Sequence, residues 1–112
     1  MEVGLNKMRQ STDDRTRAEL GVSISAAAVG ASKEDVVGQG RSHRVVLARQ
    51  VAMYLVHVAC GISLSRVAAA FGRDRSTVAY AVRSLELRRD QPEFDAWVQA
   101  LEESIVRAPV ML

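Results

Sequence analysis

The stretch Ser63-Leu64-Ser65-Arg66-Val67-Ala68-Ala69-Ala70-Phe71-Gly72-Arg73-Asp74-Arg75-Ser76-Thr77-Val78-Ala79-Tyr80-Ala81-Val82-Arg83-Ser84-Leu85 decides the fold. After Ser63 as a cap, Leu64, Val67, Ala68 and Phe71 recur at helical spacing and predict a short helix with one buried face. Gly72-Arg73 makes a tight turn. Asp74 is then expected to cap a second helix, its carboxylate facing the amides of Ser76 and Thr77. Val78, Ala81, Val82 and Leu85 give that helix a buried stripe, while Arg75, Ser76, Ala79 and Arg83 point elsewhere. Two helices joined by so short a turn, over residues 63–89, have the layout of a helix-turn-helix. The layout suits a major groove, because the second helix anchors by its apolar face and offers short or forked polar side chains at its N-terminal tip.

Working outward, Val45, Ala48, Ala52, Leu55, Val56 and Ala59 predict a long helix from Val45 to about Cys60, stopped by Gly61. Before it, Gly38-Gln39-Gly40 breaks the chain and Arg41-Ser42-His43-Arg44 reads as a basic loop. Ser32 ahead of Glu34 and Asp35 marks a short helix over Lys33–Val37. An alanine-rich segment from Asp14 to about Val29 predicts the first helix, with Gly30 as its stop. Residues 1–13 are polar and aperiodic and are expected to be a flexible end. On the other side, Asp90-Gln91-Pro92 separates two helices, since proline is tolerated at a first helical position. Phe94, Trp97, Val98, Leu101 and Ile105 then give an amphipathic last helix. The expected fold is an all-α, compact helical bundle of about six helices, forming one domain over residues 14–112.

A net charge of +2 says little, but its distribution says more. Residues 41–89 hold nine arginines and no lysine against two acids, whereas residues 1–40 and 90–112 are each slightly acidic. A basic middle is the footprint of a polyanion binder, and arginine's planar fork suits phosphate or guanine. Arg83, Arg88 and Arg89 read as a solvated or phosphate-facing edge, Trp97 as core, and Tyr54 and Tyr80 as core by default, with stacking or a hydrogen bond to phosphate as their alternative. The lone Cys60 lies in an apolar run, which indicates a buried thiol in a reducing compartment. His43 and His57 stand apart from any metal-ligand spacing, and no acid–base pair or nucleophile–base set is visible. No cofactor, metal or enzymatic activity is therefore expected. No apolar run reaches the roughly 18 residues of a membrane span, so no membrane partner is expected and the location is read as cytoplasmic, at the nucleoid.

Ala48-Arg49-Gln50-Val51-Ala52-Met53-Tyr54-Leu55, then Ser63-Leu64, then Phe71-Gly72-Arg73-Asp74-Arg75-Ser76-Thr77-Val78 closely resemble the C-terminal duplex-binding domain of the bacterial replication initiator DnaA. The resemblance reaches more weakly to Asp35-Val36-Val37-Gly38 and the basic loop, and covers roughly residues 25–89. It implies an all-α fold of the Trp-repressor helix-turn-helix class that reads a short duplex box. It also implies roles. Arg49 would enter the minor groove beside the basic loop of Arg41 and Arg44, reading groove width and potential. Asp74 would accept from cytosine, Ser76 and Thr77 would touch base and phosphate, and Arg73 would contact phosphate.

The chain departs from the family pattern in three ways. Only Gly72 stands where the family turn usually has two glycines, which would alter how the reading helix enters the groove. Arg75 occupies the place of a histidine that touches thymine methyls, and an arginine there favours guanine or phosphate. A phosphate-loop motif is missing, since Gly38-Gln39-Gly40-Arg41-Ser42 has neither the spacing nor the lysine. These readings point to a stand-alone, sequence-specific binder of double-stranded DNA that regulates replication or transcription without ATPase activity. A second reading keeps the fold but makes it a protein–protein module, the acidic last helix docking a partner or a second copy.

Overall fold

The computed structural model describes residues 2–108, which form six α-helices and one π-helical turn. These are α1 (Glu2–Val29), α2 (Lys33–Val37), α3 (His43–Tyr54) with a π-turn at Leu55–Ala59, α4 (Leu64–Phe71), α5 (Arg75–Arg88) and α6 (Pro92–Arg107). No strand occurs among the described residues.

The centre of the molecule is α3. Val51, Met53, Leu55 and Val56 are fully buried, as are Val67 of α4, Val78 and Leu85 of α5, and Val98 and Ile105 of α6. All join one apolar cluster. The α5 stripe expected from spacing is the buried one, comprising Val78, Ala81, Val82 and Leu85. Burying a valine or leucine is worth about 2 kcal/mol, against under 1 kcal/mol for an exposed ion pair. The apolar stripe therefore sets how α5 is rotated, and hence which side chains it shows to solvent.

Helix ends follow the local chemistry of the sequence. Gly30, Gly61 and Gly72 have φ of 71°, 69° and 64°, the left-handed conformation that closes a helix with least strain when no Cβ is present. Ser32, Ser42 and Ser63 accept hydrogen bonds from Asp35 N, Val45 N and Arg66 N as N-caps. Asp74 is different. It stands at the N-cap of α5 with extended backbone, but its carboxylate makes no capping bond. The expected bonds to Ser76 and Thr77 are absent, so both carboxylate oxygens are free.

Two helices differ from expectation. The first begins at Glu2 and not Asp14, so residues expected to be a flexible end extend α1 to 28 residues. Residues 3–13 are exposed, including Val3, Leu5 and Met8, and a helix half that packs on so little has no need of apolar periodicity. Its anchor is Asp14, whose carboxylate receives Arg66 Nε at 2.9 Å and Nη2 at 2.6 Å, tying α1 to α4. Further along, Gly21 lets α1 close on α3: a Cβ there would meet Val56 Cγ2 at 3.0 Å and Ala52 O at 3.2 Å. The central helix, in turn, starts at His43 and ends in the π-turn, where Cys60 N reaches back to Leu55 O at 3.2 Å. His57 Nδ1 lies 2.6 Å from Ile62 O, and facing a carbonyl it must donate, so this histidine closes the turn. Burial pushes the half-buried Cys60 thiol up against the opposing pull of Arg17.

The last helix turns its apolar stripe inward. Val98 and Ile105 are fully buried, and half-buried Phe94, Trp97 and Leu101 pack on the same cluster. The residues expected to dock a partner are thus occupied in the chain's own core. Arg89 secures this helix from α5, donating to Asp95, Tyr54 Oη and Glu102. Burial works against its charge, and those bonds outweigh it and hold its pKa above the ordinary value.

Gly21→Val should lower stability by about 2 kcal/mol through overpacking against α3, whereas Gly4→Val, with open space around it, should change little. Urea unfolding midpoints decide between them. The same measurement should separate two caps: Ser63→Ala is expected to cost about 1 kcal/mol and Asp74→Ala less than half of that.

Candidate nucleic-acid interface

Helix α2 has five residues, too few to pair its own last carbonyls. Two arginines from elsewhere take them. Arg49, on α3, donates Nε to Val36 O at 2.8 Å, Nη1 to Gly40 O at 3.0 Å and Nη2 to Asp35 O at 3.1 Å. Arg73, in the turn before α5, donates Nη2 to Val37 O at 3.1 Å and Gly38 O at 2.5 Å, and Nη1 to Gln39 Oε1 at 3.4 Å. The end of α2, the loop after it and the entrance to α5 are thereby held in one place. Burial and then the neighbouring Arg73 charge lower the Arg49 pKa, so the two guanidiniums repel while sharing one run of carbonyls.

Arg49 is the residue whose place differs most from expectation. It was expected in a minor groove, yet only 9% of it is accessible and all three guanidinium nitrogens are engaged inward. Carbonyls left over at a helix end are strong acceptors, and they lie within its reach. Arg73, expected on phosphate, is likewise turned to the loop, although it stays half-buried.

The remaining candidates lie at the surface. Asp74, Arg75, Ser76 and Thr77 are all exposed at the start of α5, directly before buried Val78. Arg83 lies seven residues beyond Ser76, near the same side of the helix, and is exposed too. Arg41 follows the held loop by one residue after Gly40 and is exposed. With His43, Gln50 and Arg88 it lines a shallow hollow of about 220 Å³, which joins the loop to the far end of α5. Arg44 is not in the loop. It sits exposed in the first turn of α3, and no described contact ties it to the cluster.

The structure also sorts the arginines. Arg66 is paired with Asp14, Arg89 with Asp95 and Glu102, and Arg88 stacks over the Phe94 ring at 4.1 Å. Among the described residues no salt bridge takes Arg41, Arg44, Arg75 or Arg83. The basic face is therefore narrower than the count of nine arginines in residues 41–89 suggests. Tyr80, for which core packing is the default expectation and phosphate contact the alternative, lies on the exposed side. It is 68% exposed on α5, one turn from Ser76 and beside Arg83. Its signal was available, because position 80 falls off the Val78/Ala81/Val82/Leu85 stripe.

A family model described as the bacterial DnaA protein helix-turn-helix matches residues 22–85, from the second half of α1 to the last buried residue of α5. The chromosomal replication initiator protein DnaA of Deinococcus radiodurans is 38% identical over 81 residues, which is 71% of this chain and 17% of that protein. DnaA 2 of Chlamydia pneumoniae is 35% identical over 85 residues, 76% of this chain and 19% of the relative. Among solved structures, a crystal structure of a DNA replication initiation factor superposes with a TM-score of 0.79 at 32% identity, covering 92% of this chain and 32% of that one. Replication initiator DnaA bound to AMPPCP and single-stranded DNA gives a TM-score of 0.77 at 31% identity, covering 88% of this chain and 30% of the other. The chain thus spans less than a fifth of these curated relatives and about a third of these solved chains. Over that span, model, sequence and fold agree, and the chain belongs to the bacterial DnaA helix-turn-helix family.

Proposed function

We propose that this chain binds double-stranded DNA in a sequence-specific way, at short boxes of the kind read by the DnaA initiator's duplex-binding domain. It acts as a regulator of replication initiation or of transcription and carries out no ATP-driven step of its own. One observation carries the reading: the tip of α5 presents Asp74, Arg75, Ser76 and Thr77 to solvent, uncapped, behind a helix that is anchored by four buried side chains. Side chains of this kind at the start of an anchored helix can meet base edges in a major groove.

In this reading the Asp74 carboxylate, free of any capping duty, accepts from cytosine N4. Arg75 addresses guanine O6 and N7 or a phosphate, which shifts the preferred box away from one read by histidine. Ser76 and Thr77 touch base and phosphate. Arg83 and Tyr80, farther along the same helix, meet the backbone, and Tyr80 adds a hydroxyl donor that the charge pattern did not suggest. Arg41 and Arg44 supply positive charge beside the groove, and Arg73 adds charge from the turn. The acidic last helix is not needed as a docking face, because its apolar stripe is already covered by the core.

The test is fluorescence anisotropy with a labelled box-containing duplex and a scrambled duplex at two salt concentrations. The box should bind more tightly, and with about four exposed arginines on phosphates the log–log salt slope should be about −3 to −4. Equal affinity for both duplexes ends the claim of specificity, and a flat salt response ends the claim of phosphate contact. Asp74→Ala and Thr77→Ala should each cost about 1–3 kcal/mol on the box alone. Arg41→Ala should weaken both duplexes alike and flatten the slope by about one. For the regulatory role, the chain should displace a full-length DnaA protein from the same box, and failure to compete removes that part.

A further inference from the structure

Resting on that reading, the geometry points to Arg49 as a positioning residue and not a groove reader: with Arg73 it clamps the α2–α3 loop so that Arg41 and the tip of α5 meet a duplex as one preformed surface. To reach a minor groove, the Arg49 guanidinium would have to leave Asp35 O, Val36 O and Gly40 O together. Those carbonyls belong to the last turn of α2 and the loop, and their remaining described backbone bond is the one from Gly38 N to Asp35 O at 3.2 Å. Val36 O and Gly40 O would then keep no described donor, and a carbonyl stripped of its partner in a partly buried corner is costly. An exposed arginine pays no such penalty, and Arg41 already stands exposed one residue beyond the held loop.

The clamp has two jaws. Arg49 arrives from α3, the most buried helix, and Arg73 from the turn that precedes α5. Between them they hold five successive or near-successive loop groups, from Asp35 O to Gly40 O. Only a forked cation can do this, since a lysine ammonium is a compact charge that cannot span three carbonyls in fixed directions. Without the clamp, the two glycines at 38 and 40 leave the loop free to move, and Arg41 would lose its fixed place beside α5. Ordering that loop at the moment of binding would then weaken every complex, whatever its sequence.

The experiment has an arm in the free protein and an arm on duplex. In the free wild-type protein the Arg49 Nε–H should be protected from solvent exchange, and it should stay protected, at an unchanged chemical shift, when the box duplex is added. Arg49→Lys should speed amide exchange of Gln39 to Ser42 about tenfold and lower affinity for box and scrambled duplexes by a similar factor of about ten, with the base preference at each position preserved. Arg41→Ala, costly in the wild type, should cost little more in the Arg49→Lys background, because a free loop no longer presents that charge. Release of the Arg49 Nε–H on binding overturns the proposal. So does a loss confined to A·T pairs at one end of the box, or full additivity of the two substitutions. Because the wild-type exchange arm needs no variant, a failure of Arg49→Lys to fold leaves the question decidable. Absence of any duplex binding by the wild type would sink the proposed function, whereas an unprotected Arg49 Nε–H in the free protein would sink the clamp alone.

Discussion

Everything at the candidate interface depends on the burial of one stripe of α5 against α3. Val78, Ala81, Val82 and Leu85 are inaccessible, so the rotation of that helix about its axis is set by apolar area and not by its charges. Given that rotation, Arg75, Ser76, Thr77, Tyr80 and Arg83 can only face outward. The turn at Gly72 then fixes where the helix begins, and Asp74, extended and uncapped, is left at its tip. The polar tip is a by-product of how the apolar face is satisfied.

A second constraint acts through the backbone. A helix of five residues is an unfinished hydrogen-bonding unit, and α2 is completed by guanidiniums from two distant positions. The same arrangement that satisfies α2 couples the loop before α3 to the entrance of α5. Positive charge is thereby held close to positive charge, against the mutual repulsion of Arg49 and Arg73, because carbonyl dipoles lie between them. Elsewhere the molecule pairs its arginines with carboxylates, as Arg66 with Asp14 and Arg89 with Asp95 and Glu102. The contrast separates arginines that hold the fold from those left for a polyanion.

Much of the fold could be read from local chemistry. Serine caps, left-handed glycines and apolar spacing gave α2, α4, α5 and α6 their limits, and the helix-turn-helix followed from them. Three things lay beyond that reading. The inward turn of Arg49 depends on carbonyl acceptors, which every residue has and which no residue name signals. The pairing of Asp14 with Arg66 joins residues 52 positions apart, so the start of α1 could not be inferred from its neighbours. Free carboxylate oxygens on Asp74 are a matter of rotamer, and the same sequence would allow a capping bond. Tyr80 is legible from its place off the stripe, which outweighs the general tendency of aromatic side chains toward the interior.

The π-turn at Leu55–Ala59 carries a consequence for the aim of the whole reading unit. A turn closed from residue i to i+5 holds one surplus residue, and one residue of helix is worth a rotation of about 100° and an advance of about 1.5 Å. The direction in which the chain leaves the central helix toward Ser63 is therefore set by where that surplus sits. Sliding it by a single position, with no change of any exposed side chain, would swing the helix-turn-helix relative to the basic loop and so re-aim the tip of α5.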